Sequence, residues 1–229
     1  MNDSGWFLLQ QGKHTAAYNM ALDEALLGFA TELGHPVLRF YGWLEAAASF
    51  GYAQKYADVE RWTMLRPLVR RLTGGGLVPH DADWTYSIAF PPQHSWYRLK
   101  AVESYERVHE WIRDAFASIE VPTSLAPSSQ KEIPGQCFVG AEKFDVLWHD
   151  RKIAGAAQRR TRTGLLIQGS VQSPLILLVR EKWQAAMCEV ARQQWAIEWR
   201  TLEITGKLAE TTHGLAAAKY SQAGYNQKR

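Results

Sequence analysis

At 229 residues, 46% apolar and 21% charged, the chain is composed like a globular protein able to bury a substantial core, which disfavours disordered, collagen-like and coiled-coil readings. A formal charge of +3, from 26 basic and 23 acidic side chains, does not demand a nucleic-acid partner, although it suits a weakly attracted acidic protein. Two cysteines, Cys137 and Cys188, make no disulfide framework, and the apolar run Pro174 to Val179 is far short of the roughly 20 residues of a membrane span.

In chain order, Trp6 to Gln10 predicts a strand, and Thr15 an N-cap for a helix whose apolar positions Met20, Leu22, Ala25, Leu26 and Phe29 recur near helical period. Gly34 and Pro36 end it. Val37 to Trp43 and Ala46 to Tyr52 read as strands, Tyr56 to Leu65 as a short helix, and Pro67 to Leu72 as a strand entering a run of glycines. Trp84 to Phe90 is a further strand, closed by Pro91 and Pro92. Val102, Tyr105, Val108, Trp111, Ile112 and Phe116 make Leu99 to Ile119 the clearest amphipathic helix. A Pro/Ser-rich loop, Val121 to Gly135, delivers the chain to Cys137. Lys143 to Trp148 and Ile153 to Gln158 read as hairpin strands around His149 to Lys152, with Leu165 to Val171 a third. Glu181 to Trp199 is a second long helix and Thr211 to Tyr220 a terminal one. Neither a repeat nor a low-complexity linker divides the chain. The expectation is one α+β domain over residues 1–229, a mixed sheet with packed helices.

Gly74 to Gly76 let the backbone approach a ligand or expose amides to an oxyanion or phosphate, whereas a tight loop is the plainer reading. Arg70 and Arg71 before the turn, and His80 and Asp81 after it, favour a ligand. Cys137 is the natural nucleophile, because a thiolate attacks thioesters well, provided that a nearby cation lowers its pKa. Lys152 is the nearest candidate cation in that segment. Residues 154–157 beyond it are almost free of side-chain bulk, so a strand there passes close to a ligand and the lysine could hold a thioester carbonyl or a phosphate. Cys188 lies among apolar helix positions and reads as a small buried hydrophobe. Histidines and cysteines show no metal-ligand spacing, and neither a GxxxxGK[ST] loop nor a GxGxxG run is present.

Three ordered segments, NMALDEALL at Asn19 to Leu27, RRLTGGGLVPHD at Arg70 to Asp81, and DRKIAGAAQRR at Asp150 to Arg160 leading into LLIQGS, resemble the lipoate-protein ligase and octanoyltransferase family of the biotin/lipoyl protein ligase superfamily. The resemblance implies a mixed, largely antiparallel sheet flanked by helices, a biotin/lipoyl protein ligase-like catalytic domain. It implies that Arg70, Arg71, Thr73, Gly74, Gly75 and Gly76 line an acyl pocket, that Lys152 meets the reacting carbonyl, and that Gly155 and Ala156 pack beside the ligand. His80, Gln168 and Gly169 complete the expected substrate-binding set. Cys137 followed by Phe138 is similar to the Cys-Phe element of cysteine-dependent octanoyltransferases. These take octanoyl from acyl carrier protein through a thioester, without a cofactor, and pass it to a lysine of a lipoyl domain or glycine-cleavage H protein.

Three alternatives stand beside that one. An ATP- and Mg-dependent lipoate-protein ligase works through an adenylate, and Asp145, near a carboxylate that many ligases retain, keeps it open. A lipoyl-domain amidotransferase uses the same cysteine on another donor. A non-catalytic acyl-binding partner subunit is kept open by Gln168, which stands where members of the family commonly carry a histidine. The chain leaves no room for the accessory domain of many ligases or for the DNA-binding domain of the biotin-ligase repressors, and its first residues lack the features of a secretory signal. The expected setting is the cytoplasm, away from nucleic acid and membrane.

Overall fold

The computed structural model describes residues 4–130, 140–172 and 179–228. Strand β1 (Gly5–His14) ends where Thr15 takes extended backbone and its hydroxyl accepts the amide of Tyr18, opening helix α1 (Ala16–Leu33). That cap satisfies one of the N–H groups a helix start leaves without partners. At the other end Gly34, at φ 70°, takes the left-handed turn that a glycine adopts without steric cost. The helix buries Met20, Leu22, Ala25 and Leu26, as its period predicts, and with them the polar Asn19 and Asp23.

There follow β2 (Val37–Trp43), β3 (Ala47–Phe50), α2 (Tyr56–Trp62), β4 (Leu68–Arg70), β5 (Val78–His80), β6 (Trp84–Phe90), α3 (Ser95–Arg98) and α4 (Ala101–Ala117). The second half adds β7 (Ser124–Leu125), β8 (Val146–Trp148), β9 (Arg151–Thr161), β10 (Gly164–Val171), α5 (Arg180–Trp195), β11 (Glu198–Thr201) and α6 (Gly206–Leu215). A π-helical segment, Ala216–Tyr220, and α7 (Ala223–Asn226) end the described chain.

An eight-stranded sheet runs β11-β1-β2-β6-β10-β9-β8-β7, and a three-stranded one runs β4-β3-β5. The large sheet is parallel where β1 meets β11 and β2, and antiparallel from β2 onward. The expected α+β class, with a mixed, largely antiparallel sheet flanked by helices, is what the chain adopts. Side chains alternate between the faces of a strand, so each face has its own core. Leu38, Phe40, Tyr86, Ile88 and Ile167 pack on Trp111, Ile112 and Phe116 of α4 and Trp183 and Met187 of α5. Leu9, Val37 and Ala89 meet Leu22, Ala25 and Leu26 of α1 on the other face, where Tyr41, Trp43 and Met20 also join Ala47 and Val69 of the small sheet.

Two elements depart from the periodic reading. The helix expected from Glu181 to Trp199 stops at Trp195, because Ala196 turns left-handed at φ 52°. Glu198 to Thr201 then forms β11 beside β1, with Trp199 in register with Trp6. Nothing local marks that break, since the left-handed residue is not a glycine; pairing along the free edge of β1 decides it. The terminal helix expected from Thr211 begins earlier, at Gly206, and changes from α to π geometry at Ala216.

Candidate active site

Register places one polar row across the α1 face of the sheet. Arg39 of β2 lies opposite Ser87 of β6, which lies opposite Gln168 of β10, itself opposite Ala157 of β9. Asp23 reaches down from α1 to this row. Its carboxylate accepts from Arg39 Nη1 at 2.6 Å, Ser87 Oγ at 2.6 Å, Gln168 Nε2 at 2.7 Å and Tyr41 Oη at 3.0 Å. Arg39 and Asp23 are both 0% exposed, a burial that is tolerable only when each charge finds a full set of partners. Burial first, and the Asp23 charge next, hold the Tyr41 phenol protonated far above its ordinary pKa.

Gln168 is therefore occupied at both ends, since its Oε1 accepts from Thr73 Oγ1 at 2.8 Å while its Nε2 serves Asp23. The amide acts as a strut between the α1 carboxylate and the glycine turn. It is also the reason Thr73 faces the protein: its hydroxyl is spent on Gln168 and is fully buried.

A second row holds Tyr41, Thr85, Ser170 and Gly155, in mutual register. Asp83, at the mouth of β6, accepts from Thr85 Oγ1 at 3.0 Å and Ser170 Oγ at 2.6 Å, and pairs with His80 Nδ1 at 2.9 Å. The other nitrogen of His80 lies 2.8 Å from Ser49 Oγ, and the ring stacks on Trp43 with centroids 3.8 Å apart. His80 thus lines the cavity, yet both its nitrogens are already engaged.

The glycine turn is built by close backbone packing. A Cβ on Gly51 would stand 1.9 Å from the carbonyl oxygen of Gly75, so only glycine fits at position 51. Arg71 Nη2 donates to the carbonyls of Gly74 and Gly76 at 2.6 and 2.7 Å, and its Nη1 reaches Ser49 Oγ at 3.3 Å. Arg70 points elsewhere. Its guanidinium donates to Tyr52 O, Gln54 O and Asn226 O, and its amide to Asn226 Oδ1 at 2.9 Å, fastening the C-terminal helix.

Lys152, at the start of β9, pairs with Asp145 at 2.7 Å. Asp145 is fully buried, and it also accepts the amide of Glu142 at 2.6 Å and the hydroxyl of Tyr105. Burial and the Asp145 charge raise the pKa of Tyr105, so it remains a donor. Next to Tyr105, His109 donates through Nδ1 to that residue's carbonyl, and burial lowers its pKa to about 4, keeping it neutral. On the α4 face of the sheet the Tyr86 ring lies across Gly169, where a Cβ would stand 2.1 Å from its Cζ.

Around one cavity the structure gathers Arg71, His80, Lys152, Gly155, Ala156, Gln168 and Gly169 of the expected residues. Arg70, Thr73, Gly74, Gly75 and Gly76 are not among its lining: the Arg70 guanidinium, the Thr73 hydroxyl and the carbonyls of Gly74 and Gly76 are bonded within the protein. Cys137 lies outside the described residues. Cys188 packs against the main core, and burial lifts its thiol pKa to about 12, which matches the inert reading. Met20, Tyr41, Trp43, Ser49 and Ser170 also line the cavity, and sequence inspection did not single them out. Asp23 had a visible signal, a carboxylate on the apolar face of the first helix; Ser49, in a short strand of small residues, had none. Among the described residues there is no cluster of side chains able to hold a metal ion, and no helix long and apolar enough to cross a membrane. What the arrangement offers chemically is a fixed cation beside a small-residue strand, with a buried imidazole in the lining of the same cavity.

The model of the lipoyl protein ligase A/B catalytic domain matches residues 15–175. The octanoyltransferase LipM of Halalkalibacterium halodurans is 33% identical over 179 residues, which are 72% of this chain and 65% of that protein. The octanoyltransferase LipM of Bacillus subtilis is 33% identical over 186 residues, 75% of this chain and 66% of its own length. The chain thus spans just under two thirds of the length of these relatives. A putative lipoate protein ligase from T. acidophilum superposes with a TM-score of 0.83 at 18% identity, covering 98% of this chain and all of that one, a likeness of fold.

Proposed function

The chain belongs to the lipoyl protein ligase A/B catalytic-domain family, and from that premise we propose that it transfers an octanoyl group from a carrier-protein thioester to a lysine of a lipoyl domain or glycine-cleavage H protein. The observation that carries the reading is Lys152, held by Asp145 at the edge of a cavity whose strand there carries only Gly155, Ala156 and Ala157. Such a strand lets an acyl chain lie against the backbone, and the lysine marks where its carbonyl ends. Two relatives named octanoyltransferase LipM, each 33% identical, support the transfer of an octanoyl group.

In this mechanism the Cys137 thiolate attacks the thioester carbonyl and displaces the carrier thiol. Lys152 is aimed by Asp145, which is itself held by Tyr105 and the Glu142 amide. An ammonium carries three donors, so it can stabilise the oxyanion while remaining paired. The acceptor amine then attacks the acyl-cysteine, and the amide forms as the thiolate leaves. The residues invoked need no cofactor for this route, and the reducing cytoplasm is the setting in which a free Cys137 persists.

Incubating the protein with octanoyl-acyl carrier protein and mapping the adduct tests the proposal. An octanoyl mass on Cys137, with transfer abolished in Cys137→Ser, is expected. Full transfer by Cys137→Ser, or pyrophosphate release that depends on lipoate and ATP but not on Cys137, would overturn it in favour of ligase chemistry.

A further inference from the structure

Ser49 and His80 line this cavity and Asp83 backs His80, at 2.9 Å between Asp83 Oδ2 and His80 Nδ1 and 2.8 Å between His80 Nε2 and Ser49 Oγ. They are also buried: Ser49 is 3% exposed and His80 5%. Both contacts lie within the reach required of a nucleophile, its base and the group that orients the base.

The donors of this chain run in one direction. Asp83 Oδ2 is placed to accept from His80 Nδ1–H, and in the tautomer that carries its proton there Nε2 is the acceptor. Arg71 only donates, and it gives Nη1 to Ser49 Oγ at 3.3 Å. In that tautomer the Ser49 hydroxyl donates to His80 while its oxygen accepts from Arg71. Asp83 is locked by the hydroxyls of Thr85 and Ser170, as an orienting carboxylate needs to be. The Trp43 face, stacked on His80 at 3.8 Å and an interplanar angle of 15°, favours the imidazolium that forms when that proton arrives.

We propose that Ser49, His80 and Asp83 form a second, serine-based acyl-transfer centre in this cavity, one that accepts an acyl thioester or ester and passes the acyl group to water. The inference rests on the reading that an acyl chain occupies the cavity. Ser49 Oγ bonds to the carbonyl carbon as its proton moves to His80 Nε2. The C–S or C–O bond to the leaving group then breaks, and that group departs with the proton from Nε2. Water repeats the sequence on the acyl-serine ester, giving its proton to His80. Ser49 recovers a proton as it leaves, and a carboxylic acid is released. Arg71, beside Oγ, lowers the cost of the developing negative charge.

The test uses the full chain and an octyl fluorophosphonate, whose alkyl chain mimics the acyl group and whose phosphorus is attacked by activated serines. Peptide mapping is expected to place the phosphonyl adduct on Ser49. Ser49→Ala abolishes the adduct together with the hydrolysis of octanoyl thioester, while Asp83→Asn slows labelling on the order of 10⁴-fold. Mapping the unsubstituted protein needs no variant, so a fold defect in either substitution does not blunt the result. Octanoyl transfer without any adduct on Ser49 overturns this inference and leaves the transfer reading standing. An adduct on Ser49 in protein that forms no octanoyl-Cys137 supports the serine centre and counts against the transfer reading.

Discussion

Gly155→Ala tests the placement of Lys152 at the reacting carbonyl. A Cβ at position 155 would stand 2.8 Å from Lys152 Cε, 2.9 Å from its Nζ and 3.0 Å from Asp145 Oδ1. Carbon atoms in contact sit about 3.5–4.0 Å apart, so the end of the lysine must retreat by roughly 1 Å and is driven from its 2.7 Å pairing with Asp145. A misplacement of that size at a reacting centre costs on the order of 100-fold in rate, about 2.7 kcal/mol in the barrier. Stability falls as well, because the displaced ammonium leaves the fully buried Asp145 carboxylate short of its partner, so rates are compared at a temperature where the variant stays folded. Gly169→Ala is the control: its Cβ would meet Tyr86 Cζ at 2.1 Å, and that ring is fully buried beside Trp183. Overpacking there costs about 1–3 kcal/mol, or roughly 2–12 °C in Tm. The assay measures kcat/KM for octanoyl transfer alongside thermal unfolding for each variant. Wild-type kcat/KM in Gly155→Ala, or a loss that merely tracks its unfolding, would refute the placement of Lys152 at the reacting carbonyl.

Burial keeps His109 neutral in the fold with its pKa lowered from 6.5 to about 4, so the unfolded chain binds a proton that the native one refuses. Stability is unaffected by this group above pH 6.5 and falls as the pH drops from there to about 4, by about 3 kcal/mol in all; urea midpoints across that window should fall less steeply in His109→Gln. Cys188, with its thiol pushed up to about 12 by burial, should react with iodoacetamide at pH 8 at least on the order of 100-fold more slowly than an exposed cysteine; equal rates would show that the site opens. Asn226→Ala removes the acceptor of the Arg70 amide and the donor to Tyr220 O. It should cost about 1–3 kcal/mol, seen as a Tm lower by several degrees, and an unchanged Tm would mean that α7 does not fasten β4.

The family and the layout of elements are legible in the chain itself because they are written locally. The Thr15 cap, the Gly34 stop, the period of α1 and α4 and the pairing of β9 with β10 each depend on residues a few positions apart. Lys152 among small residues likewise stands out in one dimension. The partners of these residues do not, since they arrive from distant segments. Ser49 meets His80 across 31 positions, Tyr105 meets Asp145 across 40 and Gln168 meets Asp23 across 145. Arg70 and Arg71 are neighbours of one residue type, yet strand alternation sends one to Asn226 and the other to the cavity. By itself the amino-acid order determined most of the elements, the end of α5 and strand β11 excepted, and which family they build, because capping and hydrophobic period act over a turn or a strand. Only the tertiary structure decided which polar groups share a buried partner, because that depends on the register by which distant strands cross.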